Sequence, residues 1–135
     1  MKQSFICAFI LTFFSPHQPP QSRADVIKTT VCAVSTEPNK FDGKLIEITA
    51  QFESDGIHSS VFTDKTCENF GIALFSSEHY VGEKALKNAL SRGHPGTLDK
   101  TVDGTFVGRF HSHPNQVPSR VLVLEQARNI SVVMK

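Results

Sequence analysis

Within residues 41–56, apolar and polar residues alternate strictly from Ile46 to Glu53. The apolar positions fall on one side of an extended chain and the polar positions on the other; these are Ile46, Ile48, Ala50 and Phe52 against Glu47, Thr49, Gln51 and Glu53. A period of two is the repeat of a β-strand that buries one face. Asp42-Gly43 and Asp55-Gly56 are turn signals at the two ends. The pattern predicts a half-buried strand that returns in a hairpin.

Four further strands are predicted downstream. Residues 57–64 complete the hairpin, and residues 71–75 form a short apolar strand whose lack of alternation suggests burial on both faces. Alternation returns over residues 100–110. The last strand covers residues 120–124 and 129–133, with a bulge expected near Ala127-Arg128.

Two segments are predicted to be helical. Residues 77–92 have a helical period, with Ser77 as N-cap and Gly93 as the end of the helix. The apolar stripe consists of Val81, Ala85, Leu86, Ala89 and Leu90. Residues 25–36 are compatible with a short helix that ends before Pro38, although their β-branched content leaves a strand open.

The predicted order is three strands, a helix and two strands, with a small helix in front. This makes the chain mainly β with one or two helices. It is the order of a five-stranded OB-like Greek-key barrel, with the helix between strands 3 and 4. Gly104 and Gly108, inside the fourth predicted strand, are typical of a close backbone approach where a small barrel closes. The order alone leaves other small α+β folds open.

The N-terminus has the features of a secretory signal peptide. Lys2 precedes an almost unbroken run of apolar residues at 5–14, and Ser22-Arg23-Ala24 places small residues where a signal peptidase cleaves. A membrane anchor is the alternative, but a helix needs roughly 20 apolar residues to cross a bilayer. We therefore expect a signal peptide over residues 1–24 and a single exported domain over residues 25–135, periplasmic or extracellular, with no membrane span after cleavage.

Cleavage would remove Cys7 and leave Cys32 and Cys67. Two cysteines in an exported chain usually pair, so a disulfide between them is predicted. Buried free thiols and a redox pair are the alternatives, and the sequence has no Cys-x-x-Cys spacing to support a redox pair.

The charge of the cleaved chain would be close to neutral. Without Lys2 and Arg23, 12 basic residues remain against 13 acidic ones, a formal charge of −1. Domains that bind a phosphate backbone usually carry a clear basic excess. A nucleic-acid partner is therefore not expected, and the partner is predicted to be an unknown envelope protein or a small ligand.

Several short motifs resemble a known family. Residues 31–67 contain P-x-x-F-D-G-K, the alternating strand, S-D-G-I and a D-x-x-C ending; D-G-T-F-x-G-x-F and V-L-V-L-E-x-A follow later. Together they resemble a mostly uncharacterised family of small exported bacterial proteins with an OB-like fold. The resemblance implies a fold and an export route, without a substrate.

Residues 108–114 resemble the G-x-x-H-S-H-P core of JAMM-type zinc isopeptidases. In that family two histidines and a later aspartate bind zinc, and a serine supports the intermediate. The resemblance places His111 and His113 as zinc ligands and puts the aspartate position on Glu125. The serine position falls on Leu122, so a required residue is absent.

A catalytic zinc site typically needs three protein ligands and an open position for water. Glu125 or Asp103 would have to be the third ligand, and Glu47 or Glu53 is a candidate general base. The alternative function is thus a zinc-binding protein or a metal-dependent hydrolase that uses the His111-x-His113 pair.

The leading hypothesis is a non-enzymatic binding or accessory domain, with no catalytic residues and no cofactor. OB folds bind ligands on strands 2 and 3 and their flanking loops. That mapping gives a ligand face of His58, Ser60, Phe62 and Lys65, with the loop at residues 65–70. A purely structural role in an envelope assembly is a third hypothesis. The seven phenylalanines after residue 24 are expected mainly in the core.

We predict that the exported protein starts at Asp25. The full chain expressed in a bacterial host should yield envelope material whose intact mass corresponds to residues 25–135, because Ala24 completes the cleavage signal. Material that keeps residues 1–24 would contradict this prediction.

Overall fold

Strands make up most of the structure, a computed structural model that describes residues 25–135; the predicted signal peptide of residues 1–24 lies outside the described residues. Strands account for 49% and helices for 17%, and the sheet is mixed. The mainly-β prediction is confirmed. The elements in chain order are β1 (Ile27–Thr29), α1 (Val31–Thr36), α2 (Pro38–Phe41), β2 (Leu45–Ser54), β3 (Ser60–Thr63), β4 (Ile72–Val81), α3 (Glu83–Leu90), β5 (Lys100–Ser112) and β6 (Arg120–Met134).

The sheet has the strand order β1-β2-β3-β4-β6-β5, and β2 also pairs with β5. The pairing therefore returns from β5 to β2. β1 pairs with β2 in parallel and β4 pairs with β6 in parallel, while the other pairings are antiparallel. β1 was not predicted as a separate strand, so the described chain has six strands rather than five.

The alternation of residues 41–56 forms β2 as predicted. Ile46 and Ile48 are fully buried and Phe52 is almost so. The Phe52 ring lies 5.0 Å from the Phe62 ring, which lies 4.7 Å from the Phe106 ring, centroid to centroid. Tilted aromatic pairs at these distances stabilise a core beyond the area that they bury. The core thus joins β2, β3 and β5 through three phenylalanines.

β5 and β6 approach each other closely at two glycines. A Cβ atom at Gly108 would collide with the carbonyl oxygen of Val123, and one at Gly104 would lie 2.7 Å from Cδ1 of Ile130. The β5–β6 register shifts at both places. The predicted close backbone approach is confirmed at Gly108, whereas the atoms nearest a Cβ at Gly104 belong to the side chains of Ile130 and Phe106. β6 is continuous over its length, and the register shifts lie on either side of Ala127.

The predicted helix over residues 77–92 begins six residues later than expected. β4 continues through Val81, which pairs with Gln126 of β6. α3 starts at Glu83 after Gly82, whose φ of 85° is left-handed, so Ser77 is not the N-cap. Lys87 and Glu83, one turn apart in α3, form an ion pair. No helix within residues 25–135 is long and apolar enough to span a membrane.

The predicted helix over residues 25–36 is only half correct. Its first part is β1, where Ile27 pairs with Ile46 of β2. α1 follows, with the Thr30 hydroxyl accepting a 3.0 Å hydrogen bond from the backbone N–H of Ala33 as its N-cap. The β-branched residues of this segment explain why its first part is a strand and not a helix, because such residues suit a pleated strand.

The Cys32–Cys67 disulfide is present, which confirms the prediction. The two Cα atoms lie 5.6 Å apart, within the range of ordinary disulfides. The bond ties α1 to the loop between β3 and β4. The Thr66 hydroxyl lies 3.1 Å from the Cys32 sulfur.

We predict that the Cys32→Ser/Cys67→Ser variant loses roughly 3 to 4 kcal/mol of unfolding free energy, because the bond closes a loop of 35 residues in the unfolded chain. Urea unfolding of residues 25–135 measures the loss. Reductant should lower the stability of the wild type and leave the double variant unchanged. Equal stability of the two proteins would contradict a structural role for the bond.

Candidate functional site

A cleft opens where the pairing between β3 and β4 ends. Ser60 is the first residue of β3, and Ala73 is the last residue of β4 that pairs with β3. The volume is about 490 Å³, within the usual range for small-ligand sites. We call it the loop cleft; its lining residues are Ser54, Gly56, Ile57, His58, Ser59, Ser60, Ala73, Leu74, Leu90 and Pro118.

The carboxylate of Asp55 shapes one wall of the loop cleft. Its Oδ1 accepts hydrogen bonds from the backbone N–H groups of Ile57, His58 and Ser59, at 2.8, 2.7 and 3.0 Å. These three bonds favour the ionised form and hold the pKa of Asp55 well below its usual value. The Asp55 carbonyl accepts from the N–H of Gly96 at 2.9 Å. The loop over residues 55–59 is therefore fixed by its own acidic residue.

Two hydroxyl groups lie in the cleft beside that loop. Ser54 is 3% exposed, and its Oγ lies 2.9 Å from the Ser60 Oγ on the neighbouring strand. The backbone N–H of Gly56 also donates to the Ser54 Oγ, at 3.0 Å. Leu74 and Leu90 supply apolar lining. Hydroxyl groups next to leucines suit an uncharged, partly apolar ligand segment.

The outer face of the sheet beside the loop cleft is apolar. Val61, Ala73 and Val121 are cross-strand neighbours, as are Phe75 and Val123. Neighbours of this kind point to the same side of the sheet, which here is opposite to the buried side of Phe62, Ile72 and Leu122. We call these five residues the aromatic face. Phe75 is 63% exposed, so its ring is available to a partner.

A second exposed phenylalanine lies just before β4. Phe70 is 42% exposed, and the Arg120 guanidinium stands 5.4 Å from its ring centroid. That distance is within the range of a cation–π interaction. Phe70 and Arg120 thus place a positive charge at the edge of the aromatic face, near the paired residues Ala73 and Val121.

The structure brings together only part of the predicted ligand face. His58 and Ser60 line the loop cleft. Phe62 is fully buried and belongs to the core, so its assignment to a ligand face was wrong. Lys65 lines another cleft, of about 290 Å³, with Asp64 and Gln51. Val61 rather than Phe62 points outward from β3, so the sequence prediction assigned the outward face to the wrong set of alternate residues.

The metal ligands suggested by the sequence are not assembled. The His111 and His113 rings stack with their centroids 6.0 Å apart. Glu125 lies four residues beyond Val121, the partner of His111, or about 13 Å along a strand. Leu122 is fully buried. Within residues 25–135 no group of three or more His, Cys, Asp or Glu side chains could hold a metal ion, so the zinc hypothesis has no third ligand here.

Reasoning from the sequence missed Phe70 and Phe75, which were expected in the core. The segment from Gly71 to Phe75 is apolar throughout, and both faces of the strand were predicted to be buried. Ile72 is fully buried while Phe75 is exposed. An apolar outer face carries no alternation, so only the exposure itself could identify this surface.

Comparison with protein-family models, with curated proteins and with solved structures found no significant match to the chain. The suggested likeness to small exported bacterial proteins therefore stays a hypothesis, and the site is argued from its own geometry.

We predict that Asp55 makes the protein less stable in acid. Its lowered pKa means that it adds stability above the unfolded value of about 3.8, and that this stability is lost as the pH falls towards the folded value. Asp55→Asn keeps an acceptor oxygen without the charge, so its melting temperature should fall less between pH 5 and pH 2 than that of the wild type. An equal fall in melting temperature between pH 5 and pH 2 for the two proteins would contradict this role of Asp55.

Proposed function

We propose that the protein is an exported, OB-like binding domain that holds a partner in the loop cleft and on the aromatic face. The observation that carries the proposal is the exposure of Phe75. Its ring is 63% exposed on β4 next to the loop cleft, whereas Phe52, Phe62, Phe106 and Phe110 are buried. Exposed apolar patches on a folded domain commonly mark interaction sites.

The strand pairing supports an OB-like barrel. Leaving out β1, the pairing runs β2-β3-β4-β6-β5 and returns to β2. β4 and β6 are parallel, and α3 connects β4 to β5. A closed circuit of five strands with one connecting helix fits the Greek-key barrel of that fold class.

The same comparison suggests where a ligand binds. In an OB fold the second and third strands and the loops after strands 1 and 4 form the binding surface. Here those strands are β3 and β4, and the loops are residues 55–59 and 113–119. Both loops contribute to the loop cleft, since Pro118 lines it together with His58. This step goes from fold to site by analogy, and the exposed aromatic face supports it independently.

Export is supported by the disulfide. A structural disulfide is typical of oxidising compartments such as the periplasm, and Cys32–Cys67 is formed in the structure. The same bond restrains the segment that leads to Phe70. Formation of the Cys32–Cys67 bond therefore restrains one end of the proposed binding surface.

We predict that Phe75→Ser abolishes capture of a partner without unfolding the protein. Immobilised residues 25–135 should retain at least one envelope protein from extract of the source cells, and the variant should lose it. Val133→Ser is the matched control, because Val133 is a 50% exposed apolar residue on β6 outside the aromatic face. Equal melting temperatures would show that the loss is not a folding defect.

Phe62→Ala provides the opposite control, because Phe62 is buried and its truncation should cost about 3 to 5 kcal/mol of unfolding free energy. Proteins retained equally by the wild type and by Phe75→Ser would contradict the proposed site.

A further inference from the structure

We propose that the protein binds one Cu²⁺ ion at its surface through the imidazole rings of His111 and His113. The inference goes beyond the proposed function, because neither histidine lines the loop cleft or belongs to the aromatic face. It also differs from the zinc centre suggested by the sequence, because the ion takes only two ligands from the protein and completes its coordination with water.

The two histidines lie on the same side of one extended segment. His111 is in β5, and His113 directly follows Ser112, the last residue of that strand. Side chains two residues apart in an extended chain point to the same face. The rings agree with this, since their planes differ by only 7° and their centroids lie 6.0 Å apart. Two imidazoles that share an ion through bonds of about 2.0 Å have ring centres up to about 6 Å apart, so side-chain rotation alone brings both rings to one metal.

Hydrogen bonds hold the backbone that carries the pair. His111 takes part in the pairing between β5 and β6. The backbone N–H of Ser112 donates to Oδ1 of Asp42 at 2.8 Å, and the N–H of His113 donates to the Ser119 carbonyl at 2.7 Å. Metal binding therefore has to order only the two side chains, which keeps its entropic cost low.

The set of ligands indicates which metal binds. Within residues 25–135 no group of three His, Cys, Asp or Glu side chains could hold a metal ion, whereas zinc sites use three or four protein ligands. For a given set of nitrogen ligands, Cu²⁺ binds more tightly than the other divalent ions of its row. Its square-planar geometry leaves two positions for water beside two imidazoles. Cys32 and Cys67 are joined in the disulfide, so neither supplies a thiolate, the ligand that favours Cu⁺.

The charges around the pair are of both signs. Asp42 brings a carboxylate to the segment through its bond to Ser112. Arg109 lies two residues before His111 in β5, and its Nη1 donates to the Gly43 carbonyl at 2.8 Å. Charges exposed to water interact only weakly, so the coordinate bonds of the two imidazoles determine whether the ion binds.

The test is calorimetric titration of residues 25–135 with copper sulfate in the presence of glycine as a competing chelator. The wild type should bind one Cu²⁺ ion. His111→Ala and His113→Ala should each weaken binding by about tenfold or more, because each removes one of the two coordinate bonds. His94→Ala is the matched control and should bind as the wild type does, because the His94 ring lies 3.1 Å from a carboxylate oxygen of Asp99 rather than beside a second imidazole.

Equal copper affinity of the wild type and the His111→Ala/His113→Ala double variant would mean an adventitious ion only and would overturn the inference. Neither side chain is buried, so the melting temperatures of the metal-free variants should equal that of the wild type.

Electron paramagnetic resonance of the frozen copper complex tests the ligands directly. Electron spin echo modulation should reveal two imidazole rings on the ion in the wild type and one ring in each single variant. A wild-type spectrum with one ring or none would overturn the inference without reference to any variant.

Two further measurements test the metal and the independence of the site. Zinc sulfate should displace copper only when it is in large excess, and zinc binding as tight as copper binding would overturn the assignment of the metal. Phe75→Ser should bind copper as the wild type does, even where it loses its partner. Loss of copper binding in Phe75→Ser would overturn a site built from the histidines alone.

Discussion

β2 is paired along both of its edges, and this constraint sets the position of most other elements. One edge is shared by β1 and β3, and the other carries eight residue pairs with β5. A shift of one residue would turn Ile46 and Phe52 out of the core. The register of β2 therefore decides which side chains of β3 and β5 point inward, and Phe62 and Phe106 meet Phe52 for that reason.

The candidate site follows from a mismatch in strand length. β3 has 4 residues and its neighbour β4 has 10, so β4 extends past its partner. The chain before β3 is held in a loop by Asp55 and cannot continue the pairing. The gap that remains is the loop cleft, and the exposed ring of Phe75 stands beside it. A short strand next to a long one thus creates the cavity.

The sequence predicts the parts of the fold that depend on local pattern. The alternation of residues 46–53 predicts a half-buried strand, and the glycines at 104 and 108 predict a close backbone approach. The strand order was predicted from local signals of this kind. The start of α3 was not, because Val81 is drawn into β4 by Gln126, a residue 45 positions later in the chain. The sequence also does not decide which side chains of β3 face outward. Residues 57–62 are compatible with either face pointing inward until the pairing of Phe52 with Phe62 is known. The exposure of Phe75 depends on what the fold leaves uncovered, which no local pattern records.

The disulfide also restrains the loop that leads to the proposed binding surface. Cys67 lies three residues before Phe70, and the Phe70 backbone N–H donates to the Cys67 carbonyl at 3.1 Å. The bond between Cys32 and Cys67 therefore restrains both the N-terminal helix α1 and the approach to β4. In a reducing compartment the chain lacks that restraint, and the loop that carries Phe70 is not anchored to α1. The proposed export would thus complete the proposed binding surface only in an oxidising compartment, away from the place of synthesis.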